Sequence, residues 1–210
     1  MKPIIPSMGG REMGPVYARY IETMPDGLDV VEVGAWLGAG TYELASAMRE
    51  HGQSGQVHVY DRWQADFGQV AKAAGQYKYV TGIDLDGLGS PVKLKVGQDT
   101  LPIIRGFLRP FPFVQFRRGN INDLSYTGKS IGLLVVDAAK TGKDFRRLMV
   151  RLEPHLAPGA VIFFMDFWFH LYKKNIGTAC QSEYVKASGK YAHLESYKSL
   201  CCEVMRYEAA

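Results

Sequence analysis

The sequence has few cysteines, little excess charge and no long apolar run, and each shortage excludes a class of protein. Its three cysteines, Cys180, Cys201 and Cys202, form neither an even disulfide framework nor a CxxC metal-binding pair, which favours a reducing compartment. The 25 basic and 21 acidic residues leave a net charge of +4, too small to predict a nucleic acid as the partner. No apolar run approaches the ~20 residues of a membrane span, and the first residues lack a signal-peptide core. We therefore expect a cytoplasmic protein that binds neither nucleic acid nor membranes.

A chain of 210 residues, with 47% hydrophobic and 22% charged residues, is long enough for one domain with one sizeable core. It contains no internal repeat, and strand-like runs alternate with helical stretches, which is the pattern of an α/β fold. We predict a single domain over residues 1–210, in which residues 1–25 form an N-terminal helical segment and residues 64–100 form an insert or lid.

Apolar runs and turn residues predict the order of the elements. Helices are expected at residues 11–24, 41–52 and 144–156. Five strands are expected, the last entered through the turn "APG"; they are "LDVVEVG", "GQVHVYD", "FVQFRRG", "IGLLVVDAA" and "GAVIFFMDFW". The end of the chain, "AHLESYKSLCCEVMRYE", is interpreted as two strands separated by only a residue or two. Such a short connection predicts an antiparallel hairpin, because it leaves no room for a crossover helix.

Acidic residues follow nearly every predicted parallel strand. Open parallel sheets bind ligands at the carboxyl ends of their strands, near the point where the strand order reverses. A single carboxylate at a strand end is commonly a helix cap or a turn residue. A row of them at one edge indicates a ligand site, and the segments concerned are Glu32 with its glycine loop, Asp61, residues 119–123, residues 137–140 and Asp166.

The glycine loop after the first strand, "VVEVGAWLGAGT", does not have the G-x-G-x-x-G order of a dinucleotide-binding loop. Gly34, Gly38 and Gly40 permit close backbone approach to a ligand. Glu32 beside them would repel a phosphate and would suit a cationic or amine-bearing ligand. Asp61, at the tip of the second strand, is placed to accept hydrogen bonds from the two hydroxyls of a ribose. The pattern predicts a positively charged nucleoside without a phosphate as the ligand.

S-adenosylmethionine has this chemistry, and the sequence resembles the class I methyltransferases that use it. The resemblance rests on "VVEVGAWLGAGT", "VHVYDRW", "FRRGNIND", "LLVVDAAK" and "APGAVIFFMDFW", which occur in the order and approximate spacing of that family. The chain is most similar to the small-molecule O-methyltransferase branch, which includes catechol and caffeoyl-CoA methyltransferases and natural-product tailoring enzymes. The resemblance implies a Rossmann-like, doubly wound, seven-stranded sheet that is mostly parallel, with an antiparallel C-terminal hairpin.

The same resemblance implies the residues of a cofactor site. Glu32 and the loop residues Gly34, Trp36, Gly38 and Gly40 would line the methionine end, although Trp36 is equally well interpreted as a core aromatic. Asp61 would bind the ribose. The adenine would lie beside Gly119, Asn120 and Ile121, with Asp123 near its amino group, and Asp137 would also contact the cofactor.

The chemistry is expected at "DAAK" and "MDFW". In the metal-dependent branch of the family, an acid, a lysine base and an Asp-Asn pair occupy these segments, so that Asp137, Lys140 and Asp166 match while Phe167 does not. Asp137 and Asp166 are therefore the predicted Mg²⁺ ligands, with Mg²⁺ itself left open because two carboxylates supply few of its six ligands. Lys140 would act as base only if its pKa is lowered.

His170 is the competing candidate base, because imidazole near its ordinary pKa accepts a proton with little tuning. The predicted function is methyl transfer to a hydroxyl of a small molecule, which is the expected partner; a homodimer is an open alternative. N-methylation, hydroxylase-like chemistry on the same fold and an inactive cofactor-binding protein remain as alternatives.

Overall fold

The computed structural model describes residues 5, 7, 9–66, 94–139, 141–168, 171 and 180–208. Helices and strands alternate along this part of the chain, as the sequence predicts. The helices are α1 (Gly14–Thr23), α2 (Ala39–Glu50), α3 (Leu101–Leu108), α4 (Gly142–Leu152) and α5 (Cys180–Ser188). The strands are β1 (Asp29–Val33), β2 (Val57–Asp61), β3 (Val114–Arg118), β4 (Ile131–Val136), β5 (Leu156–Phe164), β6 (Tyr191–Tyr197) and β7 (Cys202–Tyr207).

The seven strands form one sheet in the order β3-β2-β1-β4-β5-β7-β6. Strands β1 to β5 are parallel, whereas β7 is antiparallel to both β5 and β6. The strand order reverses between β1 and β4, which is where a doubly wound sheet offers a ligand crevice. The predicted doubly wound sheet with an antiparallel C-terminal hairpin is confirmed.

Helices cover both faces of the sheet, because the parallel strands are apolar on both sides. Val30 and Leu133 belong to a core cluster shared with α1, α2 and α3. Val31 and Leu134, their neighbours along the strands, belong to a second cluster shared with α4 and α5. Successive side chains of a strand point to opposite faces, so continuous apolar runs bury both. Because both faces are buried, the sheet holds the carboxyl ends of its strands in fixed positions.

Two local expectations are wrong. Strand β5 begins at Leu156, ahead of the "APG" segment, which forms an irregularity inside the strand because Gly159 has a φ of +80° and the register to β4 shifts there. The hairpin connection runs over four residues, 198–201, and includes a 3₁₀ turn. Helices α3 and α5 have no counterpart among the predicted elements.

None of the described helices has the length and apolar character needed to cross a bilayer. Of the predicted insert over residues 64–100, residues 67–93 lie outside the described part of the chain. The remaining residues at its two ends are joined by a bridge between Gln64 and Asp99.

Candidate functional site

The carboxyl ends of β1, β4 and β5 are level with one another. Val33 pairs with Val136, which pairs with Phe164. Beyond them, the backbone N–H of Asp137 donates to the Val33 carbonyl at 2.8 Å. The loops that carry the predicted site residues therefore start from one edge of the sheet.

The glycines of the loop are required by close contacts as well as by backbone conformation. Gly34 has a φ of +95°, and a Cβ added there would lie 2.7 Å from the carbonyl oxygen of Asp137. Gly38 has a φ of +81° and caps the start of α2. A Cβ on Gly40 would lie 2.5 Å from Glu32 Oε1. The loop can pass between β4 and Glu32 only because these positions carry no side chain.

Glu32 lies in β1 just before the loop, and the residue is 4% exposed. Its Oε2 accepts a hydrogen bond from the hydroxyl of Thr41. Burial raises the pKa of Glu32 to about 8; the bond from Thr41 opposes this shift, and the negative charges of Asp137 and Asp61 add to it. Three carboxyl groups thus share one electrostatic environment, which favours a positively charged ligand.

Asp61 ends β2 and connects the two neighbouring loops. Its Oδ2 accepts the backbone N–H of Trp36 at 3.0 Å, and its Oδ1 accepts the backbone N–H of Trp63 at 2.9 Å. A carboxylate oxygen has two lone-pair positions, so each oxygen can accept a further hydrogen bond. The geometry is compatible with the predicted ribose contact. The bond from Trp63 is that of a turn residue, the common alternative for a carboxylate at a strand end, whereas sequence reasoning missed the bond from the glycine loop.

The side chain of Trp36 belongs to the core. It is 6% exposed and packs in a cluster with Ile5, Leu37 and Phe107. The indole Nε1 is buried and has no hydrogen-bond partner among the described residues. The indole is thus buried like a core aromatic, while Trp36 also lines the small concavity beside Glu32 and Asp137, and its contact with the cofactor stays a prediction.

The N-terminal segment reaches the glycine loop, which the sequence did not predict. A Cβ on Gly10 would lie 2.8 Å from the Cα of Gly40, and Ser7 and Gly10 line the same small concavity as Glu32 and Asp137. From the sequence, this segment is predicted only as part of an N-terminal helical segment over residues 1–25. The adjacent glycines at positions 9 and 10 were the available signal for a close backbone approach.

The predicted adenine region lies at the end of β3. A concavity there is lined by Tyr60, Gly119, Asn120, Ile121 and Asp123, among others. The side chain of Asn120 accepts the backbone N–H of Asn122 at 2.9 Å and so caps a short 3₁₀ turn. Asn120 and Ile121 therefore lie together at the expected edge of the sheet.

The predicted catalytic and metal residues are only partly described. Asp137 and the largely buried Asp166 follow the adjacent strands β4 and β5. Lys140 and His170 lie outside the described residues. Phe167 packs against Phe164 and is 5% exposed, so its position serves the core. In the described part of the chain, no three His, Cys, Asp or Glu side chains form a metal-binding group.

A family model described as a methyltransferase domain matches residues 31–167, well over half of the chain. The chain belongs to this methyltransferase family. The matched region runs from β1 through the end of β5 and contains the glycine loop, Asp61, Asp137 and Asp166. No curated protein matches this methyltransferase by sequence.

Solved methyltransferases share its fold at low sequence identity. The O-methyltransferase NovP is 15% identical with a TM-score of 0.59, and the match covers 94% of this chain and 79% of NovP. PaMTH1 of Podospora anserina, solved with S-adenosylhomocysteine bound, is 11% identical with a TM-score of 0.54, and the match covers 94% of this chain and 78% of PaMTH1. An rRNA methylase of Streptococcus thermophilus is 11% identical with a TM-score of 0.51, and the match covers 92% of this chain and 93% of the methylase. The sheet is thus that of class I methyltransferases.

Proposed function

We propose that the protein is an S-adenosylmethionine-dependent methyltransferase that methylates a hydroxyl group of a small molecule. The observation that carries the proposal is the convergence of Glu32, Asp61 and Asp137 around the glycine loop at the carboxyl edge of the sheet. Membership of the methyltransferase family and the S-adenosylhomocysteine bound in PaMTH1 support the cofactor.

The residues of the site fit this cofactor by charge. The ionised forms of Asp61 and Asp137 raise the pKa of Glu32, so an added positive charge would be stabilised beside all three groups. S-adenosylmethionine carries a sulfonium and an ammonium group but no phosphate. The glycine loop lacks the cationic side chains that would attract a phosphate.

Each part of the cofactor has a candidate partner. Asp61 would accept hydrogen bonds from the ribose hydroxyls through its outward lone pairs. Glu32 and the backbone at Gly34 would face the methionine end, and Ser7 and Gly10 would cover it. The concavity beyond β3 would take the adenine ring.

When bound, S-adenosylmethionine supplies a methyl group already activated on a sulfonium. The chain must align the acceptor oxygen, exclude water and remove one proton. Asp137 and Asp166, at the ends of neighbouring strands, are the candidates to orient the acceptor hydroxyl, either directly or through Mg²⁺. Lys140 or His170 would collect the proton.

The hydroxyl acceptor is supported by two carboxylates able to accept its hydrogen bond and by the likeness to NovP, an O-methyltransferase. An rRNA methylase shares the fold, so the fold does not select the acceptor. The choice of a small molecule rests on the small net charge of +4, which gives little attraction to a nucleic acid.

Titration calorimetry with S-adenosylmethionine and S-adenosylhomocysteine tests the cofactor. Mass spectrometry then tests turnover on a panel of phenols, catechols, sugars, amines and ribosomal RNA, with EDTA or Mg²⁺ added in parallel. We expect both ligands to bind and a hydroxylated small molecule to gain one methyl group. Absence of binding would refute the proposal. Methylation of amines alone, or of RNA alone, would show that the acceptor is not a hydroxyl group of a small molecule.

The pKa of Glu32 gives a pH-dependent prediction. With a pKa of about 8, Glu32 is mostly protonated in the free protein at pH 7, and a cationic ligand favours the ionised form. Binding of S-adenosylmethionine should therefore release protons, and its affinity should rise with pH between about pH 6 and pH 8. Calorimetry at pH 7 in buffers of different ionisation enthalpy measures the number of protons released.

Glu32→Gln is the matched control, because it keeps the size of the side chain and cannot titrate. The protons that the cofactor's own amino group exchanges are the same in both proteins and cancel in the comparison. We expect the wild type to release more protons than Glu32→Gln by up to one. Equal proton release in the two proteins would show that Glu32 does not change its ionisation on binding.

A further inference from the structure

Two tryptophans with unusual backbone conformations flank Asp61. Trp36 has a φ of 48° and Trp63 a φ of 56°, and among the described residues Cys201 is the only other non-glycine residue with a positive φ. Bulky side chains rarely adopt this left-handed conformation. The backbone N–H of each tryptophan donates to a different oxygen of the Asp61 carboxylate.

The conformation of Trp63 is held in place from several sides. Its side chain is fully buried, and its Nε1 donates to the carbonyl oxygen of Arg117 at 3.2 Å. The indole makes an edge-to-face contact with Phe116, and the Trp63 carbonyl accepts the backbone N–H of Thr100 at 2.9 Å. A strained backbone persists where its surroundings over-determine it, and such positions cluster at functional sites.

The consequence falls on the Asp61 carboxylate. With one N–H bonded to each oxygen, the group cannot rotate freely, and its remaining lone pairs keep fixed directions. A receptor group held in the orientation that its ligand needs loses less entropy on binding. Trp36 supplies one of the two bonds from the glycine loop, and Trp63 supplies the other from the loop after β2.

We propose that Trp63 is a positioning residue of the cofactor site, which fixes the Asp61 carboxylate for a ligand bearing a vicinal diol. The inference rests on the proposed function, since the diol is the ribose of S-adenosylmethionine. Trp63 is itself fully buried and acts through Asp61. Its indole anchors the loop to β3, so that β2 and β3 together determine the orientation of the carboxylate.

A double-mutant cycle tests the proposal, with S-adenosylhomocysteine as the probe and calorimetry as the measurement. Trp63→Phe keeps an aromatic ring but loses the hydrogen bond to Arg117. We expect it to weaken binding about 5- to 20-fold, and Asp61→Ala to weaken it about 100-fold. Because Trp63 acts through Asp61, the double variant should bind no more weakly than Asp61→Ala alone.

Gln53→Met is the control for a purely structural loss. Gln53 Nε2 donates to the carbonyls of Ile21 at 3.0 Å and Met24 at 2.9 Å, at the opposite edge of the sheet. This variant should lower the melting temperature while leaving the dissociation constant unchanged. Should Trp63→Phe fail to fold, Phe116→Leu takes its place in the cycle, because it removes the ring contact and spares the indole hydrogen bond.

The outcomes separate the two proposals. Wild-type protein that does not bind S-adenosylhomocysteine refutes the proposed function and with it the diol. Wild-type protein that binds, combined with an unchanged dissociation constant in the Trp63 variant, overturns the positioning role alone. Additive losses in the cycle overturn it as well, and so does an equal loss of affinity in Gln53→Met.

Discussion

Replacing Asp61 by alanine is expected to raise the dissociation constant for S-adenosylmethionine about 100-fold, or about 2.7 kcal/mol. Two effects combine. The variant removes the charge-assisted hydrogen bonds predicted to the ribose, and it leaves the backbone N–H groups of Trp36 and Trp63 without their acceptor. Titration calorimetry measures the loss, and circular dichroism checks that the variant remains folded.

Asp61→Asn separates these two effects. The asparagine side chain has one acceptor oxygen, so its NH₂ group must face the N–H of either Trp36 or Trp63, whichever the oxygen does not bind. If the carboxylate also holds the loops, asparagine should be nearly as damaging as alanine. If Asp61→Asn binds S-adenosylmethionine with near wild-type affinity, the site needs only one hydrogen-bond acceptor at position 61, and the bracing of both loops does not contribute to binding. An unchanged affinity in Asp61→Ala would move the ribose elsewhere.

The sequence predicts where the candidate site lies because its apolar runs indicate where the strands end. Residues 30–33, apolar except for Glu32, and the apolar run over residues 131–136 predict buried parallel strands, and the acids at the ends of such strands meet at one edge. Glu32 and Asp137 are therefore expected near each other from the sequence alone. The family resemblance added which part of the ligand each would contact, and those assignments stay predictions.

The bracing of Asp61 was not predictable in the same way. The side chain of Trp36 packs in one cluster with Phe107, and that of Trp63 donates to the Arg117 carbonyl; both partners are distant in sequence. Gly34 illustrates the same point: the sequence attributes this glycine to ligand approach, whereas the structure also places the Asp137 carbonyl oxygen only 2.7 Å from where its Cβ would be. A valine at position 34 would thus strain the fold together with the site, and it cannot test the site alone.

The hairpin at the end of the chain was predicted with its orientation but not its length. Apolar and aromatic residues mark both strands, yet the turn between them includes Cys201 in a left-handed conformation with a φ of 54°. Glycine or asparagine usually adopts that conformation, and neither occurs at residues 198–201, so the sequence does not indicate the turn and the predicted connection is too short. The predicted antiparallel pairing survives because it depends on the apolar pattern of the strands.

Lys140→Ala is expected to lower kcat about 10²–10⁴-fold while changing cofactor affinity little. Proton removal contributes to the transition state and not to binding, so its loss appears in kcat. An ordinary lysine is protonated at neutral pH, so Lys140 serves as base only if burial or a nearby cation in the loaded site lowers its pKa. The acceptor found in the methylation panel is the substrate for this assay.

Lys143→Ala is the matched control, because Lys143 is an exposed lysine in the first turn of α4, three residues from Lys140. It should leave kcat unchanged. His170→Ala distinguishes the alternative base, since imidazole needs no lowering of its pKa to accept a proton near pH 7. If Lys140→Ala keeps full activity while His170→Ala loses it, the proton passes to His170. The acids at the ends of β4 and β5 would then orient the acceptor without tuning a lysine.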